Sequence, residues 1–308
     1  MSLQDNVFKY GVSGGMRYKE PEKLYFLNVF SKEFTDLGYE IKILKKDMKR
    51  YSGVNCYIGD IVNAKNLIIA PYDTTINSLN PKAKYFPYSY NDSQKELHEK
   101  NRFNAMVVII TGVILMFIIP IVFRAGGQFV RISSLLITVI MTVIAYILLK
   151  GRPNQVSANL NTSGLLAILE LAKRKPADTA FVLTDREFVD NLGDLMIREA
   201  LPTTIDDKNV IHLKGIGNGE HIVIAHTKEN IGLARKIANK DTSLNLFTLD
   251  KEGLRENALQ YYDKAVSISV CDKFNDRYEI SDVLNENDVK IDEEKFSKVV
   301  DIVHNFIV

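Results

Sequence analysis

The sequence predicts an α/β protein: a mostly parallel, mixed sheet with helices on both faces, interrupted by a two-helix transmembrane hairpin. Short strand-like runs alternate with amphipathic segments along most of the chain, a pattern that favours parallel strands joined by helical crossovers. Near the middle, residues 105–123 and 132–149 form two apolar stretches without a charged residue. The first 25 residues, by contrast, include Asp5, Lys9 and Arg17 and no apolar run, so we expect no signal peptide.

We expect the apolar stretches to cross a membrane as an antiparallel hairpin from about Asn104 to Leu149. A segment of about 20 apolar residues, at 1.5 Å per residue, spans the roughly 30 Å of bilayer hydrocarbon. The alternative is a pair of buried core helices, but such helices normally keep a polar face and neither stretch has one. The hairpin divides the chain into the first part of an α/β domain (1–103), the hairpin itself (104–150) and the second part of the same domain (151–308).

Charges beside the hairpin predict its orientation. The short connection between the two stretches contains only Arg124 and Arg131, whereas basic residues flank the outer ends at Lys95, Lys100, Arg102, Lys150 and Arg152. An excess of Lys and Arg marks the cytoplasmic side of a membrane segment. We therefore expect a multi-pass protein of the cell membrane, in contact with the lipid bilayer, with its soluble domain and both termini in the cytoplasm.

The soluble part is predicted to open with a helix at 21–37, where Leu27, Phe30 and Phe34 recur at helical spacing. Strands are predicted at 39–44, 54–58, 66–70, 179–184, 209–213, 221–226, 244–247 and 265–270. Further helices are predicted at 163–175, 190–200, 228–239 and 292–306. Residues 74–100 are polar and aromatic, and we interpret them as a loop plus a lead-in to the hairpin.

Composition excludes some classes of function. Lys and Arg number 39 and Asp and Glu 38, which gives a formal net charge of +1. Nothing in the chain resembles the basic stripe that nucleic-acid binding needs, so we expect no nucleic-acid partner. The two cysteines, Cys56 and Cys271, are too few for a disulfide-stapled secreted domain. We therefore expect reduced thiols in a cytosolic environment.

Short local motifs carry no catalytic signature. Residues 215–219 (GIGNG) superficially resemble a phosphate-binding loop, but they lack its third glycine at the required offset and the helix that should follow. We interpret them as a turn between strands. The five histidines show neither HxxxH nor HExxH spacing, and no GxSxG nucleophile motif occurs. Function must therefore be argued from longer segments.

Five segments, in order, resemble those of one family. Residues 67–74 (LIIAPYDT) resemble a strand that ends in A-H-x-D-S, and residues 158–172 (ANLNTSGLLAILELA) resemble an A-x-D-N-x-S-G segment with its helix. Residues 181–188 (FVLTDREF) are similar to F-x-x-x-D-G-E-E, residues 210–217 (VIHLKGIG) to a strand with L-D-x-x-G, and the end from Ile291 onward to a C-terminal helix. The chain thus resembles the di-zinc aminopeptidase and glutamate carboxypeptidase family of metallopeptidases. This resemblance implies the zinc-exopeptidase fold, with the hairpin as an insertion.

The resemblance also implies that the family's di-metal centre has been lost. In that family two metals about 3.5–4 Å apart activate a water, and their ligands are His, Asp or Glu. Residues that are not metal ligands occupy the matching positions: Pro71, Leu160, Phe188 and Lys214. What remains is Asp73, at the position that orients a ligand, and Glu187, at the general-base position. We expect no metal or other cofactor, and a structural role for the two carboxylates, which Lys214 neutralises.

The leading functional prediction is therefore a membrane-anchored pseudopeptidase that is not an enzyme. It would bind or scaffold a partner membrane protein, or a peptide held in the former catalytic cleft. One alternative is an active membrane-bound aminopeptidase or other hydrolase with a divergent site, which would use zinc or no metal. A second alternative is an accessory subunit of a membrane complex. Transport is disfavoured because neither apolar stretch contains a charged residue.

Overall fold

The computed structural model describes residues 2–47, 52–77, 83–150, 153–187, 191–255 and 257–308. Within these residues the chain forms one mixed sheet of nine strands with helices packed on both faces. Strands from before and after the apolar stretches belong to this same sheet.

The sheet has a parallel centre flanked by antiparallel pairs, and one further parallel pair lies at the β7 edge. Its strands are β1 (Ile41–Asp47), β2 (Ser52–Ile58), β3 (Asn66–Pro71), β4 (Thr179–Thr184), β5 (Asn209–Leu213), β6 (His221–His226), β7 (Asn245–Thr248), β8 (Ala265–Phe274) and β9 (Arg277–Glu279). Their order is β1-β2-β4-β3-β5-β8-β6-β7, with β9 paired to β8. The pairs β4–β3, β3–β5, β5–β8 and β6–β7 are parallel. The pairs β1–β2, β2–β4, β6–β8 and β8–β9 are antiparallel. The predicted mixed α/β fold is confirmed.

Helices connect the strands and cover the sheet. They are α1 (Leu3–Asn6), α2 (Glu20–Asp36), α3 (Tyr90–Val113), α4 (Ile119–Ala125), α5 (Gln128–Lys150), α6 (Ser163–Lys173), α7 (Leu192–Ala200), α8 (Ile231–Ala238), α9 (Lys251–Leu254) and α10 (Glu293–Ile307). Turns of π-helix lie at Val7–Ser13, Ile114–Ile118 and Ala158–Thr162, and 3₁₀ turns at Ile205–Asp207 and Ala258–Tyr261.

Alternate side chains of the central strands pack into two separate cores. Ile68 and Ala70 of β3 belong to the core beneath α2, α6, α8 and α10, whereas Leu67 and Ile69 belong to the core on the other face, with α7. All four side chains are apolar and buried, as is typical of a strand covered on both faces. Helix α6 packs so closely that a Cβ on Gly164 would lie 2.6 Å from the carbonyl oxygen at the end of β5. This packing fixes the carboxyl ends of the central strands.

Most predicted elements are present with shifted ends. The lead-in to the hairpin within residues 74–100 is helical, because α3 begins at Tyr90, where the hydroxyl oxygen of Ser89 accepts the backbone N–H of Asp92 as an N-cap. The sequence also predicted no element for α1, the π-helical turn after it, or β9. The predicted start of the helix at 190 lies outside the described residues, and α7 is described from Leu192.

Within the described residues, two helical stretches are long and apolar enough to cross a membrane. They are Asn104–Ala125, with a mean hydropathy of 3.0, and Gln128–Leu148, with 2.1. Only 6% of the apolar window in each is buried, so these stretches differ from the core helix of a soluble domain. They contact each other along one face, where Thr111 and Ser134 are buried and Asn104 Nδ2 donates to the Leu148 carbonyl oxygen at 3.1 Å. The connection between them is shorter than the predicted segment from Arg124 to Arg131, since both arginines lie within helices.

Candidate functional site

Charged residues follow the carboxyl ends of three adjacent parallel strands. Asp73 lies just beyond β3, Asp185 and Glu187 beyond β4, and Lys214 directly after β5. In open α/β sheets, ligand sites are generally built at this edge. Here the side chains are largely buried, and Lys23 of α2 is buried against them. We call these five residues the edge cluster.

Lys214, Glu187 and Asp73 form a connected chain of contacts. Lys214 Nζ makes an ion pair with the Glu187 carboxylate, and it also donates to the hydroxyl oxygen of Tyr85. Burial alone lowers the pKa of Lys214, but the Glu187 carboxylate and Tyr85 outweigh it and raise that pKa above its ordinary value. The Glu187 backbone N–H donates to Asp73 Oδ1 at 3.3 Å. The structure thus brings together three candidate residues that lie far apart in the sequence.

The Asp73 side chain is buried away from water and lies close to other charged groups. Its burial, and after that the neighbouring Asp185 carboxylate, raise the pKa of Asp73 to about 7, although the Lys23 ammonium acts in the opposite direction. The Asp73 backbone carbonyl accepts a hydrogen bond from Asn161 Nδ2. The side chain therefore lies among charges of both signs, and its protonation depends on them.

A second buried ion pair joins α2 to the end of β4. Lys23 Nζ contacts Asp185 Oδ1, and the two side chains are 4% and 1% exposed. The other carboxylate oxygen of Asp185 accepts the backbone N–H of Val54 at 3.1 Å, and Oδ1 also accepts that of Arg186 at 2.8 Å. A buried charge is tolerated when it is paired and hydrogen-bonded, and Asp185 meets both conditions.

The sequence reasoning missed Lys23, although its position carried a signal. It lies on the buried stripe of α2 with Leu27, Phe30 and Phe34, which the helical periodicity had identified. A lone charge on an apolar stripe must find a buried partner, because leaving it unpaired in the core is costly. That rule predicts a buried acidic partner for Lys23, and in the structure this partner is Asp185.

Arg17 was also missed, and it is fully buried near the edge cluster. Its guanidinium donates to the Tyr10 carbonyl and to Thr162 Oγ1, both at 3.0 Å, and lies 4.5 Å from the Phe26 ring centroid. Burial lowers the pKa of Arg17 to about 10, while the Asp73 carboxylate acts in the opposite direction. The side chain therefore remains a cation at neutral pH and adds positive charge beside the cluster.

The residues at the matched metal-ligand positions are placed as follows. Pro71 ends β3, Leu160 is buried in the π-helical turn Ala158–Thr162, and Lys214 is ion-paired. Phe188 lies outside the described residues. In the part of the chain that the structure describes, no group of three or more His, Cys, Asp and Glu side chains is arranged to hold a metal ion.

A cavity of about 330 Å³ opens beside the turn that carries Leu160. Asn159, Asn218 and Asp288 are among the residues that line it. The Asp288 carboxylate accepts the backbone N–H of Asn159 at 2.6 Å and that of Leu160 at 3.2 Å, and burial raises the pKa of Asp288 to about 7. This carboxylate is committed to the backbone and holds the turn in place.

Comparisons with known proteins identify the fold. No protein-family model matches the sequence, and no curated protein matches it significantly. Among solved structures, the glutaminyl cyclase of Porphyromonas gingivalis is similar with a TM-score of 0.58 at 11% identity, covering 99% of this chain and 97% of that one. The glutaminyl cyclase of Bacteroides thetaiotaomicron bound to N-acetylhistamine gives 0.58 at 14% identity, covering 99% and 97%. A leucine aminopeptidase precursor from the same organism gives 0.55 at 13% identity, covering 99% and 96%.

At these identities the likeness concerns the fold. The chain has the α/β fold shared by these glutaminyl cyclases and the leucine aminopeptidase precursor, and the predicted aminopeptidase-like fold is confirmed.

Proposed function

We propose that the protein is a membrane-anchored, peptidase-like protein that binds or scaffolds a partner protein or peptide and does not act as a metallopeptidase. The observation that carries this proposal is the buried Lys214–Glu187 ion pair at the carboxyl edge of the sheet, linked through the Glu187 N–H to Asp73. The two carboxylates that the resemblance matches to the family's catalytic residues are thereby engaged by groups of the chain itself.

The side chains at the matched positions do not fit a di-metal centre. Pro71 and Leu160 have no side-chain lone pair to donate, and the Lys214 ammonium repels a cation. Phe188, by its sequence, offers no better ligand. A general base at Glu187 would need an activated water to act on, and its carboxylate is instead paired with Lys214. No metal-dependent step follows from these residues, and this supports a binding role.

The exposed apolar helices support membrane anchoring. Three hydroxyl groups of α5 are satisfied inside the helix: Ser134, Thr138 and Thr142 each donate to the carbonyl four residues earlier, at 2.8, 2.9 and 2.8 Å. A segment that crosses hydrocarbon must satisfy its polar groups internally in this way. With the basic flanks, these features support a multi-pass protein of the cell membrane whose soluble domain and termini are cytoplasmic.

Metal content and activity test the proposed function together. The full chain, purified in detergent without chelators, is expected to carry far less than one zinc per molecule. It is also expected to show neither aminopeptidase nor glutaminyl cyclase activity, the activities named for its structural neighbours. Glu187→Gln serves as the matched control, since it removes the general-base position. Stoichiometric zinc, with an activity that Glu187→Gln abolishes, would overturn the proposal.

Cysteine labelling tests the orientation. A cysteine introduced at Gly127, in the connection between the helices and with open space for a side chain, is expected to react with an impermeant thiol reagent in intact cells. A cysteine at Lys240, exposed on the soluble domain, should react only after the cells are opened. The native Cys56 and Cys271 are buried and provide a low background. The reverse pattern of labelling would show that the soluble domain lies outside.

A further inference from the structure

The segment that leads into α3, residues 83–89, is called the strap, and it pairs with the residue that follows β9. Tyr85 N–H donates to the Ile280 carbonyl oxygen at 3.1 Å, and Ile280 N–H donates to the Tyr85 carbonyl oxygen at 2.8 Å. Ile280 directly follows β9, so this antiparallel bridge places the strap beside the end of β9. Adding an extended segment to a strand edge is a general mode of peptide recognition, in which the backbone supplies affinity and side-chain pockets supply specificity.

The strap's neighbouring side chains have different partners, as in a bound strand. Tyr85 meets the edge cluster, where Lys214 Nζ donates to its hydroxyl oxygen and lies 4.1 Å from its ring centroid. Lys84 Nζ instead makes an ion pair with Glu279 at 2.6 Å and lies 4.5 Å from the Phe274 ring centroid. Ion-pair and aromatic contacts therefore both hold the strap in place.

Tyr88 is the second aromatic anchor of the strap. Its ring is 6% exposed and packs against Phe247 and Tyr278, with centroids 5.4 and 6.2 Å away. The carbonyl of Pro87 accepts a hydrogen bond from Asn257 Nδ2 at 3.4 Å. Buried aromatic anchors of this kind supply most of the energy in protein recognition.

We propose that the strap is an internal ligand seated in a peptide-binding groove. When the strap leaves, this groove takes an extended segment of a partner protein with the same Tyr-x-x-Tyr pattern. The walls of the groove are Ile280, Lys214, Phe247, Tyr278 and Glu279. The proposal rests on the proposed binding function and names its ligand class. Because the strap is part of the chain, its effective concentration is in the millimolar range, and a separate peptide competes poorly while the strap is intact.

Weakening the strap's contacts should free the groove to bind an added probe peptide. The variant Tyr85→Ala/Tyr88→Ala removes both anchors from the strap, and Tyr25→Ala, at a tyrosine that is 73% exposed, is the matched control. The probe is a fluorescent peptide with the sequence of residues 82–90, KAKYFPYSY, and its control has alanine at the two anchor positions. Binding to the full chain in detergent is followed by fluorescence anisotropy.

The double variant is expected to bind the probe at least about tenfold more tightly than the wild type or Tyr25→Ala, since the internal competitor is weakened. The alanine peptide should not bind. If the double variant does not melt cooperatively, Tyr88→Ala alone is used, and it should bind the probe with an intermediate gain. A folded variant that binds the probe no better than the wild type, or binds both peptides equally, would overturn the inference.

Zinc content and peptidase activity, measured on the same preparations, separate this inference from the proposed function. Bound zinc with activity would refute the proposed function, and the binding result for the groove would still be decided by the probe. A folded, metal-free variant without specific probe binding would refute the peptide groove alone.

Discussion

The edge cluster buries charge where a domain interior is usually apolar, whereas the hairpin exposes apolar surface where a soluble domain is usually polar. Lys23 and Asp185 are 3% and 1% exposed, while Ile121 and Leu136 are 68% and 61% exposed. Each arrangement is costly in water unless something compensates for it. In the edge cluster Lys23 pairs with Asp185 and Lys214 with Glu187, so most of the buried charge is compensated within the chain. The apolar side chains of the hairpin are exposed in the structure, and under the proposed membrane anchoring the lipid bilayer would cover them.

The largest effect is expected from breaking the buried ion pair between Lys23 and Asp185. Lys23→Met leaves the Asp185 carboxylate buried without its cation, which should lower the free energy of unfolding by about 3–5 kcal/mol. Thermal and denaturant unfolding of the detergent-solubilised chain measure it. Lys240→Met, at an exposed lysine, is the control and should change stability by no more than about 0.5 kcal/mol. The double variant Lys23→Met/Asp185→Asn should regain part of the loss, and equal effects of Lys23→Met and Lys240→Met would contradict this account.

The next effect belongs to the hairpin. Ile140, on the exposed side of α5, lies near the middle of the apolar stretch Gln128–Leu148. Ile140→Arg should cost about 2.5–3.5 kcal/mol of insertion free energy, because a charge at the centre of a membrane helix is poorly tolerated. Fractionation of cells should show less of the variant in the membrane. Gly127→Arg, at the connection, is the control and should leave the membrane fraction unchanged. An unaltered distribution for Ile140→Arg would mean that these helices face something other than lipid.

The smallest effect is expected at Lys214, whose removal leaves the Glu187 carboxylate buried near Asp73. Lys214→Ala should destabilise the domain by about 1–3 kcal/mol, and more than Lys240→Ala does. Adding Glu187→Gln should restore part of the loss, because the uncompensated charge is then removed. Unfolding of the two single variants and the double variant forms a mutant cycle. Strictly additive losses would show that the two side chains are energetically independent.

The strands were predictable because each is marked by the hydrophobic pattern of its own short segment. The run Asn66–Ala70 is apolar without alternation, which indicates a strand covered on both faces, and β3 has that environment. Tyr39 and Glu40 were assigned to the first strand, which instead begins at Ile41, since strand ends depend on pairing partners rather than on composition. The π-helical turns and β9 gave no periodic pattern to detect, and β9 depends on its pairing with β8.

The edge cluster was predictable only in part. Asp73, Glu187 and Lys214 follow strands that were predicted to be parallel, and parallel strands bring their carboxyl ends to one edge. Their proximity therefore follows from topology, whereas their functional role stays a prediction. Tyr85 lies in a stretch without periodicity, and Arg17 precedes the first predicted helix, so neither carried a local signal. Their positions are set by contacts across the whole chain, such as Tyr85 with Ile280 and Arg17 with Thr162.

The position of β4 has a consequence for how the protein is made. β4 lies between β2 and β3 in the sheet, although both of those strands precede the apolar helices in the chain and β4 follows them. During synthesis, β2 and β3 leave the ribosome before the strand that must join them exists. If the hairpin is delivered to the membrane as it emerges, the domain completes its core only after that insertion. Until β4 is made, β2 and β3 keep unpaired strand edges, which are prone to aggregate. We therefore expect the nascent chain to depend on a chaperone during that interval.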